Sequence, residues 1–107
     1  MAPVSDLKEI RSIIALYIDA LKRNQISPQQ VFLFGSFAKG STCRDSDIDL
    51  AIVSKDLSGD PIDDFVRLMK FRRGIDLRIE PHPFLPEDFE PDNPEVAEIM
   101  RTGVRIV

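Results

Sequence analysis

The chain has 107 residues, of which 43% are hydrophobic, which suits one compact domain over residues 1–107. Its net charge of -4 argues against the broad basic surface that binds extended nucleic acid. No apolar run approaches the roughly 18 residues of a membrane span, so we expect no membrane segment. The sequence shows no signal-peptide pattern and has a single cysteine, so we expect a cytoplasmic protein.

The first half of the chain is expected to form one helix and two strands. Apolar residues recur at three-four spacing from Leu7 to Leu21, which predicts an amphipathic helix with Tyr17 in its buried stripe. The apolar run Val31–Phe34 is too short for a helix and stops at Gly35, which predicts a buried strand. After a short loop or helical turn, a second strand is predicted over residues 47–53.

The second half is expected to add two helices and a third strand. Asp60 before Pro61 predicts a capped helix to about Arg73, and the alternation from Ile75 to Ile79 predicts a strand. The proline-rich residues 80–95 are not expected to form a long regular element. A last helix is predicted from Asn93-Pro94 to about Gly103, followed by a tail or short edge strand. The fold class is therefore α/β (α+β), a small mixed β-sheet flanked by helices in the order αβαβαβα.

Alternation along the strands predicts that three carboxylates share one face of the sheet. Asp47 and Asp49 leave the same face of the second strand, with Cα atoms roughly 6.5 to 7 Å apart. Ile75, Leu77 and Ile79 of the third strand are expected to face the same core as the apolar residues of the second strand, which places Asp76 on the face of Asp47 and Asp49. Glu80 shares the face but lies roughly 13 Å farther along an extended strand, which excludes it from the same ion.

The predicted topology brings these acids to one rim. The helix between strands two and three is long enough for a parallel crossover, so Asp76 should lie beside the start of strand two. An antiparallel first strand then brings Gly35-Ser36 to the same edge. Clustered carboxylates without a nearby cysteine or histidine suit Mg²⁺ or Mn²⁺, whereas His82, flanked by prolines, is interpreted as part of a structural turn.

The Gly35-Ser36 pair can serve a phosphate, because glycine permits close backbone approach and the serine adds a donor. Together with the metal-binding acids, this pair predicts phosphoryl or nucleotidyl transfer.

These residues resemble the minimal nucleotidyltransferases of the DNA polymerase beta-like superfamily. That family has glycine-serine after a strand, a basic residue before glycine, and serine-aspartate-x-aspartate on the next strand. The corresponding residues here are Gly35-Ser36, Lys39-Gly40 and Ser46-Asp47-Ile48-Asp49, with the third family carboxylate falling on Asp76. Lys39 stands where the family commonly has arginine, which keeps the charge but not the bidentate geometry.

The resemblance implies transfer of a nucleoside monophosphate, AMP from ATP in the expected case, to an acceptor hydroxyl. It implies two Mg²⁺ ions, with Mn²⁺ as an alternative, held by Asp47, Asp49 and Asp76. The implied nucleotide-binding residues are Gly35, Ser36, Lys39 and Ser46.

The family also suggests a partner. Minimal nucleotidyltransferases typically pair with a helical protein of the HEPN type, for which the small chain acts as antitoxin by adenylylating the toxin. Two other functions stay open: a non-catalytic module that binds a nucleotide or partner, and an aminoglycoside-type small-molecule nucleotidyltransferase. A homodimer also stays open.

Overall fold

The computed structural model describes residues 3–35 and 47–107, with side chains from residue 8 onward within those ranges. The described elements are α1 (Pro3–Arg23), β1 (Gln30–Phe34), β2 (Ile48–Val53), α2 (Pro61–Lys70), β3 (Ile79–Phe84), a 3-10 turn (Pro86–Asp88), α3 (Pro94–Thr102) and β4 (Val104–Arg105). The predicted loop or short helix between the first two strands lies outside the described residues. The α/β class is confirmed, and none of the described helices is both long and apolar enough to cross a membrane.

The described strands form one mixed sheet in the order β3-β2-β1-β4. β1 pairs antiparallel with both β2 and β4, whereas β2 and β3 are parallel. The parallel pair is joined through α2, because a hairpin cannot connect parallel strands. The predicted mixed topology and the short carboxyl-terminal edge strand are therefore confirmed.

The third strand begins later than the sequence predicts. The expected strand from Ile75 to Ile79 is wrong: β3 runs from Ile79 to Phe84, and residue Leu77 is 69% exposed. The Arg72 guanidinium donates to the carbonyl oxygens of Leu77 and Ile79, at 2.7 and 3.0 Å, and so holds the preceding residues in a turn. The alternation of apolar residues before Ile79 therefore belongs to the turn and not to a strand.

The proline-rich residues 80–95 contain only short elements before α3, as expected, but residues 80–84 form part of β3, which the sequence analysis did not predict. The carbonyl oxygen of Arg78 accepts a hydrogen bond from Ile48 of β2, and that of Phe84 accepts one from Ser54, which follows β2 directly. The even-numbered residues of this segment therefore direct their backbone toward β2. Pro81 and Pro83 lie at the alternate positions, whose backbone faces away from β2 on the outer edge of the described sheet. A proline is tolerated there because no ladder hydrogen bond requires its missing N–H.

The two faces of the sheet carry separate hydrophobic clusters. One contains Ile48, Leu50 and Ile52 of β2, packed with residues of α1 and α2. Tyr17 is fully buried in this cluster, as predicted, and its hydroxyl donates to the Leu68 carbonyl oxygen at 2.7 Å. On the opposite face lies the cluster Phe32, Ala51, Val53, Phe89, Val96 and Ile99. Because side chains alternate along β2, Asp49 lies on this second face.

The loop before α2 is organised by two aspartates. Asp60 caps the helix by accepting from the backbone N–H groups of Ile62 and Asp63, as the sequence predicts. Asp64 is buried and accepts from the Ser58 backbone and hydroxyl, at 2.9 and 2.8 Å, and from the Gly59 N–H at 3.0 Å. Burial acts to raise the pKa of Asp64, but these hydrogen bonds outweigh it and the pKa lies below its ordinary value.

We expect Asp64→Asn to lower the free energy of unfolding by about 2 kcal/mol at neutral pH, because the new amide N–H₂ faces a backbone donor. The native contribution is present above the ordinary carboxyl pKa of about 3.9 and is lost as pH falls through the depressed folded-state value. Urea unfolding at several pH values should therefore show the difference from wild type shrinking below about pH 4. The exposed neighbour offers a matched control, Asp63→Asn; a difference for Asp64→Asn that stays constant down to pH 3 would contradict the assignment.

Candidate functional site

Three neighbouring strands bring chemically active residues to one end of the sheet. Phe34, the last residue of β1, pairs with Asp49 of β2, and Asp49 pairs with Glu80 of β3. Gly35 follows Phe34 directly. The rim where β1 ends and where β2 and β3 begin is therefore the place where glycine and acids converge, as the predicted topology requires.

Asp49, Glu80 and His82 form a cluster on this rim, with one ligand atom of each residue within 4.8 Å of the other two. The His82 Nε2 atom lies 3.3 Å from Asp49 Oδ1. The side chains of His82 and Asp49 are 31% and 21% exposed, so both are shielded yet reachable from solvent. Two carboxylates and an imidazole at these separations fit a divalent cation.

The aromatic ring of Phe34 helps to fix the imidazole of His82. The two rings meet edge to face, with centroids 4.9 Å apart. Such a contact favours one orientation of the imidazole plane. His82 also lies in β3 and pairs with Ala51 of β2, so its backbone is held as well.

Gly35 combines a positive φ with a close approach to the Asp49 side chain. Its φ is +77°, and a Cβ atom at this position would overlap the Asp49 carboxylate. Both the backbone conformation and the space therefore favour glycine. The sequence predicts that Gly35 binds phosphate. The structure shows in addition that the missing side chain of Gly35 leaves room for the Asp49 carboxylate.

Asp47 and Asp76 lie outside this cluster. Asp47 directly precedes β2 and is exposed. Asp76 precedes β3 in the turn, where the Arg78 side chain donates to both of its carboxylate oxygens, at 3.0 and 2.8 Å. This hydrogen bonding holds the pKa of Asp76 below its ordinary value, although burial acts to raise it.

The exclusion of Glu80 on distance was wrong. It assumed that the strand is extended from Asp76 onward and that Asp76 lies beside Asp49. With β3 beginning at Ile79, Glu80 is instead the residue opposite Asp49. His82 was also interpreted as structural, yet the buried Ile79 and the two-residue period direct both Glu80 and His82 to the face of Asp49. The alternation that places Glu80 and His82 on the face of Asp49 could be predicted from the sequence, but the prolines at positions 81 and 83 argued against a strand there.

Three predicted nucleotide-binding residues, Ser36, Lys39 and Ser46, lie outside the described residues. Their predicted roles stay predictions.

The comparisons with known proteins agree with this architecture. The family model described as "Polymerase beta, Nucleotidyltransferase" matches residues 17–106. A solved structure described as a crystal structure of a toxin-antitoxin with AMP-PNP contains a similar chain, with a TM-score of 0.62 and 21% identity over 91% of this chain and 72% of that one. At this identity the likeness shows the fold. No curated protein matches the chain. Since the family model spans most of the chain, including the rim with Asp49 and Glu80, the protein belongs to the polymerase beta nucleotidyltransferase family.

Proposed function

We propose that this protein transfers a nucleoside monophosphate, AMP from ATP, to a hydroxyl group of a partner protein and acts as the antitoxin of that partner. The observation that carries the proposal is the pairing of Asp49 with Glu80 beside Gly35, in a chain of this family. The similar solved structure contains a toxin-antitoxin and an ATP analogue, which supports both the nucleotide and the partner.

The residues at the rim fit the divalent cations, two Mg²⁺ in the expected case, that such transfer uses. Asp49 and Glu80 supply oxygen donors close together. The exposed Asp47, which directly precedes β2, is proposed to supply another. When bound, divalent ions neutralise charge on the triphosphate and lower the pKa of the acceptor hydroxyl. Asp76 stays a sequence-based candidate for the third acid, but its bidentate pairing with Arg78 favours Glu80 in that role.

In the proposed reaction, the acceptor oxygen forms a bond to the α-phosphorus of ATP. The bond from that phosphorus to the oxygen bridging the α- and β-phosphates breaks, and pyrophosphate leaves with that electron pair. The hydroxyl proton passes to a carboxylate at the rim, for which we propose Glu80. Gly35, Ser36 and Lys39 would hold the departing phosphates, and Ser46 would add a nucleotide contact.

The acceptor is proposed to be a helical toxin of the HEPN type. To test this, the purified protein is mixed with the product of the neighbouring gene, Mg²⁺ and ATP labelled at either the α- or the γ-phosphate. We expect label on the partner from α-labelled ATP alone, together with a gain of one or more adenylate units in the intact mass of the partner. An unlabelled complex would indicate a binding module, and labelling of an aminoglycoside without the partner would indicate a small-molecule enzyme.

A further inference from the structure

His82 lies within ligand distance of the proposed metal site. Ligand atoms around one ion at about 2.1 Å lie about 3.0 Å apart when adjacent and about 4.2 Å apart when opposite. The separation between His82 Nε2 and Asp49 Oδ1 is 3.3 Å, and all three donor atoms lie within 4.8 Å of one another. These separations suit coordination of one ion with only small side-chain adjustments.

We infer that His82 is a nitrogen ligand of the same ion as Asp49 and Glu80. The site then differs in chemistry from a set of carboxylates alone, since it offers two oxygens and one imidazole. The inference concerns the metal site of the proposed function and rests on that function only for the use of the ion in the reaction. Binding of the ion can be measured without nucleotide or partner.

An imidazole ligand changes which ion the site prefers. Mg²⁺ is bound almost entirely through oxygen and keeps several water molecules, whereas Zn²⁺, Cu²⁺, Fe²⁺ and Ni²⁺ accept imidazole readily. We therefore expect this site to bind such a transition ion in preference to Mg²⁺, and Mn²⁺ serves as the paramagnetic probe that reports whether nitrogen contacts the bound ion.

The surroundings of His82 support a ligand with a fixed direction. Its ring packs on Phe34, and its backbone is paired with Ala51 in the sheet. Pro81 and Pro83 restrict the chain on both sides. The rival explanation is that His82 serves only as a hydrogen-bonding partner of Asp49. The two explanations differ in whether nitrogen contacts the bound ion.

The test uses the full chain without nucleotide. Mn²⁺ binding is followed by electron paramagnetic resonance, with Mg²⁺ as competitor, and pulsed measurements detect ¹⁴N coupled to bound Mn²⁺. We expect wild type to show imidazole nitrogen coupling to bound Mn²⁺. In His82→Gln we expect the coupling to vanish and Mn²⁺ affinity to fall ~10- to 100-fold, since even outer-shell partners of a metal site have effects of this size.

Two further variants complete the design. His82→Phe keeps an aromatic ring against Phe34 and should lose the nitrogen coupling as His82→Gln does, whereas the exposed-residue control, Glu90→Gln, should behave as wild type. Bound Mn²⁺ without nitrogen coupling, absence of Mn²⁺ binding, or unchanged affinity in a folded His82→Gln protein would each overturn the inference. If the variants do not fold, the wild-type spectrum still shows whether nitrogen contacts the bound Mn²⁺ and so decides the inference. Nitrogen-coupled Mn²⁺ in a protein that transfers no label would refute the proposed function and leave the inference standing.

Discussion

Asp49→Asn is expected to reduce nucleotidyl transfer more than ~100-fold, because it removes a charged oxygen donor from the proposed metal site, where even outer-shell partners matter ~10- to 100-fold. The folded structure should be kept. Asp49 itself is partly exposed, while its neighbours Ile48 and Leu50 are fully buried and supply the packing of β2. Asparagine has nearly the same volume, so the narrow space beside Gly35 can still accommodate it.

The measurement is label transfer from α-labelled ATP, with circular dichroism and thermal unfolding to follow the fold. The exposed residue Asp92 provides a matched control, Asp92→Asn, which makes the same change of charge away from the rim and should transfer at the wild-type rate. Wild-type transfer by Asp49→Asn would contradict the proposed site, whereas loss of the cooperative unfolding transition would show that Asp49 is structural.

Glu80→Gln is expected to lose transfer to a similar degree, whereas Asp76→Asn should retain it within a few-fold. Glu80 pairs with Asp49 and has a donor atom within 4.8 Å of it. The carboxylate of Asp76 is instead engaged by Arg78, so its replacement should chiefly weaken the turn before β3, by about 1 kcal/mol in the free energy of unfolding.

Both variants are measured in the same transfer assay and by urea unfolding, with the exposed control Glu87→Gln. The pair separates two assignments of the third acid. Inactive Asp76→Asn with active Glu80→Gln would restore the assignment made from the sequence and would refute the role proposed for Glu80. Equal and large losses would mean that both acids serve the reaction.

Local sequence patterns were sufficient for most of the framework. The helix caps at Asp60 and Asn93 act through contacts within a few residues, so their residue types alone predict them. The buried stripe of α1 and the apolar face of β2 follow from periodicity, which a single segment carries by itself. The mixed topology could be predicted because the helix between strands two and three is long enough to connect parallel strands. Gly35 and the acids can then share one edge only if β1 runs antiparallel to β2.

The sequence by itself determined the class of fold, the direction of the strands and the face on which Asp49 lies. It could not decide which later acid joins Asp49, because Asp76 and Glu80 are four residues apart and a period of two assigns both to one face. Only the tertiary structure shows that Glu80 lies opposite Asp49. Arg72 holds the residues before Ile79 in a turn, so β3 begins at Ile79, and this start sets its register with β2. Strand register depends on contacts between distant segments, and these contacts also brought His82 to the site.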